Sequence, residues 1–258
     1  MKYTYFASDF HLGIDGKITS QAREKQIVRW LQSIENEAEA IYLVGDIFDF
    51  WFEYKTVVPK GYVRLLGKLA ELRDAQIPIY FFTGNHDMWM FHYLEQEMAI
   101  PIYRAPILRE LHGKMFYIGH GDGLGPGDKG YKVIKKVFAN ATCQWLFERL
   151  HPNFGIGLAR YLSVKSRETD PVENQFLGAD KEWLMMFANQ TLAESSTSID
   201  YFIFGHRHLP IDVTLNNQGT RYINTGEWLH TNSYARFDGQ QVEILFFENE
   251  QGKVFGVD

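Results

Sequence analysis

"YFIFGHRH", Tyr201 to His208, is an apolar run that stops at two histidines two residues apart. Such a run reads as a buried strand. Strand alternation sends His206 and His208 to one side and Arg207 to the other. Paired imidazoles at a strand's end suit a metal ion, although a surface turn holding two histidines would look the same. The stretch decides the fold because its pattern recurs. "YTYFASDFH" reaches Asp9 and His11, "AIYLVGDIFD" reaches Asp46 and Asp49, "PIYFFTGNHD" reaches Asn85, His86 and Asp87, and "KMFYIGHGD" reaches His120 and Asp122. Five apolar runs end in candidate ligands.

Between the first two runs, "SQAREKQIVRWLQSIENEA" places Ile27, Trp30, Leu31 and Ile34 at i, i+3, i+4, i+7 behind Ser20, a candidate cap. This predicts an amphipathic helix, and a second one is expected over residues 61–75. Strands alternating with helices indicate an α/β chain in which helices cover the sheet. Towards the C-terminus, "TRYINTGEW", "SYARFDG" and "QVEILFFE", with the turn Asp238-Gly239, predict short antiparallel strands.

The 258 residues are 45% hydrophobic and 16% aromatic, enough to bury one large core with a small appendage. A single cysteine, Cys143, excludes an internal disulfide, and "MKYTYFASDFHLG" lacks the apolar core of a signal peptide. A cytoplasmic protein is expected. No window approaches the roughly 20 apolar residues that cross a bilayer, so membrane contact would be peripheral. The net charge of −6 speaks against nonspecific nucleic-acid binding. Its distribution is uneven. Lys129 to Arg167 holds eight basic residues against the single acid Glu148, a balance of +7 that leaves −13 elsewhere. Such a concentration attracts anionic ligands or surfaces.

Asp9, His11, Asp46, Asn85, His120, His206 and His208 offer oxygen and nitrogen donors without sulfur, a set suited to Mn²⁺, Fe or Zn²⁺. Seven donors exceed one ion's needs and fit two metals sharing a carboxylate. Each block alone also reads as an ordinary turn, helix cap or core histidine.

Together, "DFH", "GD", "GNHD", "GHGD" and "GHRH", in this order and spacing, resemble the signature blocks of the calcineurin-like metallophosphoesterases. The resemblance implies a four-layer αββα sandwich of two mixed sheets, with a dimetal site at the strand ends. It implies that Asp9, His11, Asp46 and His208 hold one ion, that Asp46, Asn85, His120 and His206 hold the other, and that Asp46 bridges. The reaction implied is in-line attack on phosphorus by a metal-activated hydroxide. His86 would stabilise developing charge, with Asp87 orienting its ring, whereas Asp49 and Asp122 are expected to support the site rather than react.

Residues 123–175 read as an inserted helical lobe between core segments 1–122 and 176–258. Ile134, Val137, Phe138 and Ala141, then Leu146, Phe147 and Leu150, recur at helical spacing. "HPNFG" then breaks the pattern before a helix with Leu158, Tyr161 and Leu162. A basic lobe with apolar faces suits an anion carrying greasy chains, and equally an amphipathic helical pair with a solvated basic face. Nearly the whole chain, through "GDIFDFWFEYKTVVPKGY", "GHGDGLGPGDKGYK" and the lobe, also resembles the UDP-2,3-diacylglucosamine diphosphatases in their Bacteroidetes-type form. That closer resemblance implies a lipid-linked UDP-sugar substrate cut to UMP and 2,3-diacylglucosamine 1-phosphate in lipid A synthesis, two divalent metals, Mn²⁺ foremost, and a peripheral place on the inner face of the inner membrane. No protein partner or nucleic acid is expected. Asn85, His86, Asp128, Tyr131, Ser166, Lys181 and His206 are the substrate contacts it implies. "GNHD" departs from the proteobacterial enzymes, which carry arginine in place of His86. Trp51 or Phe52 could line an acyl tunnel, and Trp228 could close the site from the opposite side.

Overall fold

The computed structural model describes residues 2–126, 129–168, 175–178, 180–215 and 219–256, with the backbone alone for 129–131, 160 and 162–168. Two mixed sheets face each other. The first runs β11-β10-β1-β2-β3-β4, from β1 (Tyr3–Ala7), β2 (Ala38–Val44), β3 (Ile79–Phe82), β4 (Ile102–Tyr103), β10 (Ser233–Phe237) and β11 (Val242–Phe246). The second runs β5-β6-β7-β9-β8, from β5 (Ile107–Leu111), β6 (Lys114–Ile118), β7 (Tyr201–Phe204), β8 (Pro210–Thr214) and β9 (Arg221–Thr225).

Alternation along each strand builds the layers. Phe6, Tyr42, Val44 and Phe82 meet Phe116, Ile118, Tyr201 and Ile203 between the sheets. Tyr5, Ala7, Ile41, Leu43 and Phe81 face outward against Ile27, Trp30 and Leu31 of α1 (Ser20–Ile34) and Leu65 and Leu69 of α2 (Val63–Asp74). On the far side, Phe202, Phe204 and Tyr222 pack against Leu184, Met185 and Ala188 of α7 (Trp183–Glu194). The result is the expected α/β/β/α stack, in which strands buried on both faces read as continuous apolar runs.

Local expectations are corrected in places. Thr19, not Ser20, caps α1, accepting from the Ala22 N–H, while the Ser20 hydroxyl accepts from Gly13 N at 2.8 Å. The hairpin β10–β11 is antiparallel as expected, but β9 pairs parallel with β7 as well as antiparallel with β8. Trp228 packs on Phe10 and Trp30 in the core behind the first sheet, so it does not close the site. Trp51 likewise is core, its ring tilted against those of Phe48, Tyr62 and Tyr93.

Between β6 and α7 the chain forms α4 (Lys129–Phe138), α5 (Ala141–Glu148) and α6 (Pro152–Glu168), three helices where the spacing suggested a pair. Asn140 causes the extra break, its side chain accepting from Thr142 N and Cys143 N to start α5. The break expected at "HPNFG" falls just before Pro152, which opens α6. Phe147 sits on Phe52 and Trp89, with ring centroids 4.8 and 4.7 Å away, and Trp89 donates its indole N–H to the Phe138 carbonyl at 2.8 Å. The helices thus rest on aromatic residues that directly follow the second and third sequence blocks. Among the described residues no helix is long and apolar enough to cross a membrane.

Candidate metal centre

Asp9, Asp46, His120 and His206 each lie two residues beyond the end of their strand, and Asn85 three beyond. Parallel neighbours bring these ends together along one edge of the sandwich. Of eleven described non-glycine residues with positive φ, five are candidate donors: Asp9 (55°), His11 (44°), Asp46 (53°), His206 (66°) and His208 (55°). A left-handed backbone costs such residues on the order of 1–3 kcal/mol each and clusters where function requires it. The histidines of "GHRH" therefore do not continue the strand. His206 joins a cluster with Asp46 and His120, and His208 joins one with Asp9 and His11.

In the first cluster, His11 Nε2 lies 3.0 Å from His208 Nε2, and Asp9 Oδ1 lies 3.1 Å from His208 Nε2 and 3.7 Å from His11 Nε2. These spacings match the edges of a coordination shell with bonds of about 2.0–2.2 Å. In the second, His120 Nε2 stands 3.2 Å from Asp46 Oδ2, while His120 Nδ1 lies 2.8 Å from the Val44 carbonyl, which fixes the ring. His11, Asp46 and His86 form a third cluster that links the other two, sharing His11 with the first and Asp46 with the second. Asp9 Oδ1, Asp46 Oδ2, Asn85 Oδ1 and His120 Nε2 are buried without a hydrogen-bond partner. Buried polar atoms in native proteins are almost always satisfied. An orphaned set of this composition, with its aspartates and histidine in the linked clusters, fits a pair of divalent cations.

The electrostatics agree. Burial opposes ionisation of Asp9 and Asp46, yet the surrounding imidazoles hold both carboxyls well below the usual range. Burial lowers His86 and His206 to about 4, so both rings are neutral at pH 7, the form that can bind a metal or accept a proton.

Buried groups brace the donor loops from behind. Arg23 on α1 donates to the carbonyls of Phe10, His11 and Ile14 at 2.6–2.8 Å. Asp87 was expected to orient His86. Its carboxylate instead accepts from Ile47 N, Phe48 N and Gly84 N, tying the second block to the third. Asp49 takes the orienting position, with its carbonyl 3.1 Å and its Oδ1 3.6 Å from His86 Nδ1. Asp122 meets Lys135 of α4 at 2.6 Å, and Lys132 donates to the Gly125 carbonyl. Those two lysines are half-buried and bonded to the fourth block and the chain just after it. Glycine is required at two points for close approach. A Cβ at Gly84 would strike Asp46, and one at Gly205 would strike Ser8 and Asp9. Of the expected substrate contacts, Lys181 is exposed just before α7. Asp128 lies outside the described residues, and so do the side chains of Tyr131 and Ser166.

The Calcineurin-like phosphoesterase family model matches residues 3–210. The chain belongs to the calcineurin-like phosphoesterase family. It is 39% identical over 257 residues to a UDP-2,3-diacylglucosamine hydrolase of Porphyromonas gingivalis, covering 95% of this chain and 97% of the relative. An Aeromonas salmonicida protein of the same name is 28% identical, covering 89% and 87%. The phosphoesterase Yfce of E. coli aligns at a TM-score of 0.48 and 15% identity over 95% of this chain and 93% of that one. Metallophosphoesterase chemistry follows from the family, which implies divalent metals, and the protein is a hydrolase with candidate metal-binding residues in these clusters.

Proposed function

We propose that the protein hydrolyses the diphosphate of UDP-2,3-diacylglucosamine to UMP and 2,3-diacylglucosamine 1-phosphate. Asp9, His11, Asp46 and His208 would hold one divalent ion, and Asp46, Asn85, His120 and His206 the other, with Mn²⁺ the expected metal. The observation that carries this reading is the pair of donor clusters joined by the His11, Asp46 and His86 group, lined by orphaned buried atoms, in a chain that follows a relative of that name over 95% of its length.

Bound there, two cations would neutralise phosphate oxygens and make a water nucleophile available at neutral pH. The chain's own groups supply the rest. Asp49 fixes the His86 ring beside His11 and Asp46, where the imidazole meets the charge that develops on the phosphoryl group. Asp46 Oδ1 accepts from the His86 N–H at 2.8 Å, which holds the third block on the second. Residues 123–175 would act as a lid. Phe52, Phe147 and Trp89 seat it over the second and third blocks; Asp128, Tyr131 and Ser166 are its proposed substrate contacts, joined by Lys181 of the core segment that follows. Exposed apolar side chains on α4 to α6, among them Val133, Ile134, Trp145, Phe154 and Tyr161, support a peripheral place on the inner membrane's cytoplasmic face, where the acyl chains reside.

Turnover of the acylated and unacylated UDP sugars tests the proposal. With Mn²⁺ present, UDP-2,3-diacylglucosamine should release UMP far faster than UDP-N-acetylglucosamine does, and ¹⁸O from solvent should enter UMP. Equal rates, or no UMP from the lipid, would reassign the site to a dimetal phosphoesterase acting on nucleotides or phosphoproteins.

A further inference from the structure

The loop between β7 and β8 carries two strained histidines aimed at different clusters: His206, with Asp46 and His120, and His208, with Asp9 and His11. Left-handed turns at residues other than glycine persist only where the surroundings over-determine them. Arg207, between the two histidines, provides that constraint. Its side chain is 1% exposed, and it donates from Nε to Glu182 Oε2 at 2.8 Å and from Nη2 to Glu182 Oε1 at 3.2 Å and to the Gln175 carbonyl. Trp183 lies beneath it, ring centroid 5.2 Å from Cζ. Glu182, equally buried, also accepts from Leu177 N at 3.0 Å. One guanidinium therefore gathers the chain that returns from the helical insertion.

We infer that Arg207 is a positioning residue. Its fork on Glu182 enforces the turns that divide His206 and His208 between the two clusters, and sets the returning end of the insertion against that loop. The inference rests on His206 and His208 being metal ligands. A buried ion pair is a weak source of stability compared with apolar residues of similar size. A bidentate fork, however, fixes direction, which a hydrophobic contact does not. Because the same group holds both the donors and, through Gln175 and Glu182, the chain on either side of Leu177, occupancy of the metal centre and order at those residues must be coupled reciprocally.

The test compares Arg207→Lys, Glu182→Gln and the double variant Arg207→Met/Glu182→Met, which leaves no charge buried alone, with His206→Ala as control. Mn²⁺ affinity is read by calorimetry on metal-free protein, folding by circular dichroism, and amide exchange at 175–182 by mass spectrometry. The folded variants should bind Mn²⁺ about 10- to 100-fold more weakly, as supporting groups of metal ligands generally do. Mn²⁺ should slow exchange at 175–182 in the wild type and not in the double variant. A folded variant with wild-type affinity, or exchange at 175–182 indifferent to Mn²⁺ in the wild type, overturns the inference. So does an unfolded double variant, because the pair would then serve only the fold. If His206→Ala binds Mn²⁺ like the wild type, the ligand assignment itself fails, and this inference falls with it.

Discussion

The Oδ1 of Asp49 lies 3.6 Å from the Nδ1 of His86, and the same oxygen lies 3.6 Å from the Nδ1 of His11. One carboxylate thereby addresses a proposed metal ligand and the proposed charge-stabilising histidine. What the near nitrogen of an imidazole meets decides how its far nitrogen is presented. Asp49→Asn should lower kcat by about 10- to 100-fold with little change in melting temperature. Asp87→Asn should instead cost about 1–3 kcal/mol of stability, because Asp87 satisfies buried backbone N–H groups of two loops. Steady-state kinetics beside thermal melts separate the two. A silent Asp49→Asn, with an unmelted but inactive Asp87→Asn, would reverse the assignment.

His120 sets the pH dependence of metal uptake. Burial alone would lower its pKa, but Asp46, with Asp9 and Asp122 near by, pushes it up to about 10. The metal-free protein therefore carries this proton at pH 7. The stability it contributes is full below the ordinary imidazole value of about 6.5 and fades as pH rises through about 10. A cation taking Nε2 must displace the proton, so affinity should rise with pH towards 10 and binding at pH 7 should release protons. Calorimetric titration of Mn²⁺ in two buffers of different ionisation enthalpy measures this. Identical heats would mean that no proton leaves.

Two glycines offer a test of the clusters that substitutes no donor. Gly205→Ala should displace Asp9, and Gly84→Ala should displace Asp46, which two clusters share. Metal content after gel filtration should fall by one ion in the first variant and by both in the second. Two ions retained in each would show that the contacts yield without moving the donors.

Much of this was legible in the sequence because strands covered on both faces must be apolar throughout, and the change to polar residues marks where they end. The five blocks are read from that change, whereas the helix of Trp30 and the helical segment after the fourth block are read from apolar residues at helical spacing. The direction of β9 was not legible, since its parallel partner β7 is set by the sheet order and not by the local turn. Nor was the exchange of roles between Asp49 and Asp87. Spacing places both near His86, and only the folded loops show that Asp49 meets the ring while Asp87 turns back to the N–H groups of Ile47 and Phe48. The break at Asn140 was hidden inside the helical spacing of Ile134, Val137, Phe138 and Ala141, although an asparagine's side chain can cap a helix, as it does for α5.

The outer surface of the insertion makes the last prediction. On α4, Val133, Ile134 and Val137 are 61%, 50% and 47% exposed, with Trp145 and Leu146 on α5 and Phe154 and Tyr161 on α6 also open to solvent. Lys136 and Arg149 stay exposed among them, whereas Lys135 is paired with Asp122. Apolar side chains rimmed by exposed cations suit the interface of an anionic bilayer. The apolar contribution should dominate. Burying one valine is worth roughly 1.5 kcal/mol, so Val133→Asp/Val137→Asp should weaken partition into phosphatidylglycerol vesicles by at least about tenfold for each valine. Lys136→Glu should weaken it less, and only at low salt, where exposed charges are poorly screened. Vesicle sedimentation at low and high salt reads both effects. Binding that is absent at low salt, or unchanged in the double aspartate variant, would remove the membrane from the proposal and leave the apolar face to the substrate's chains alone.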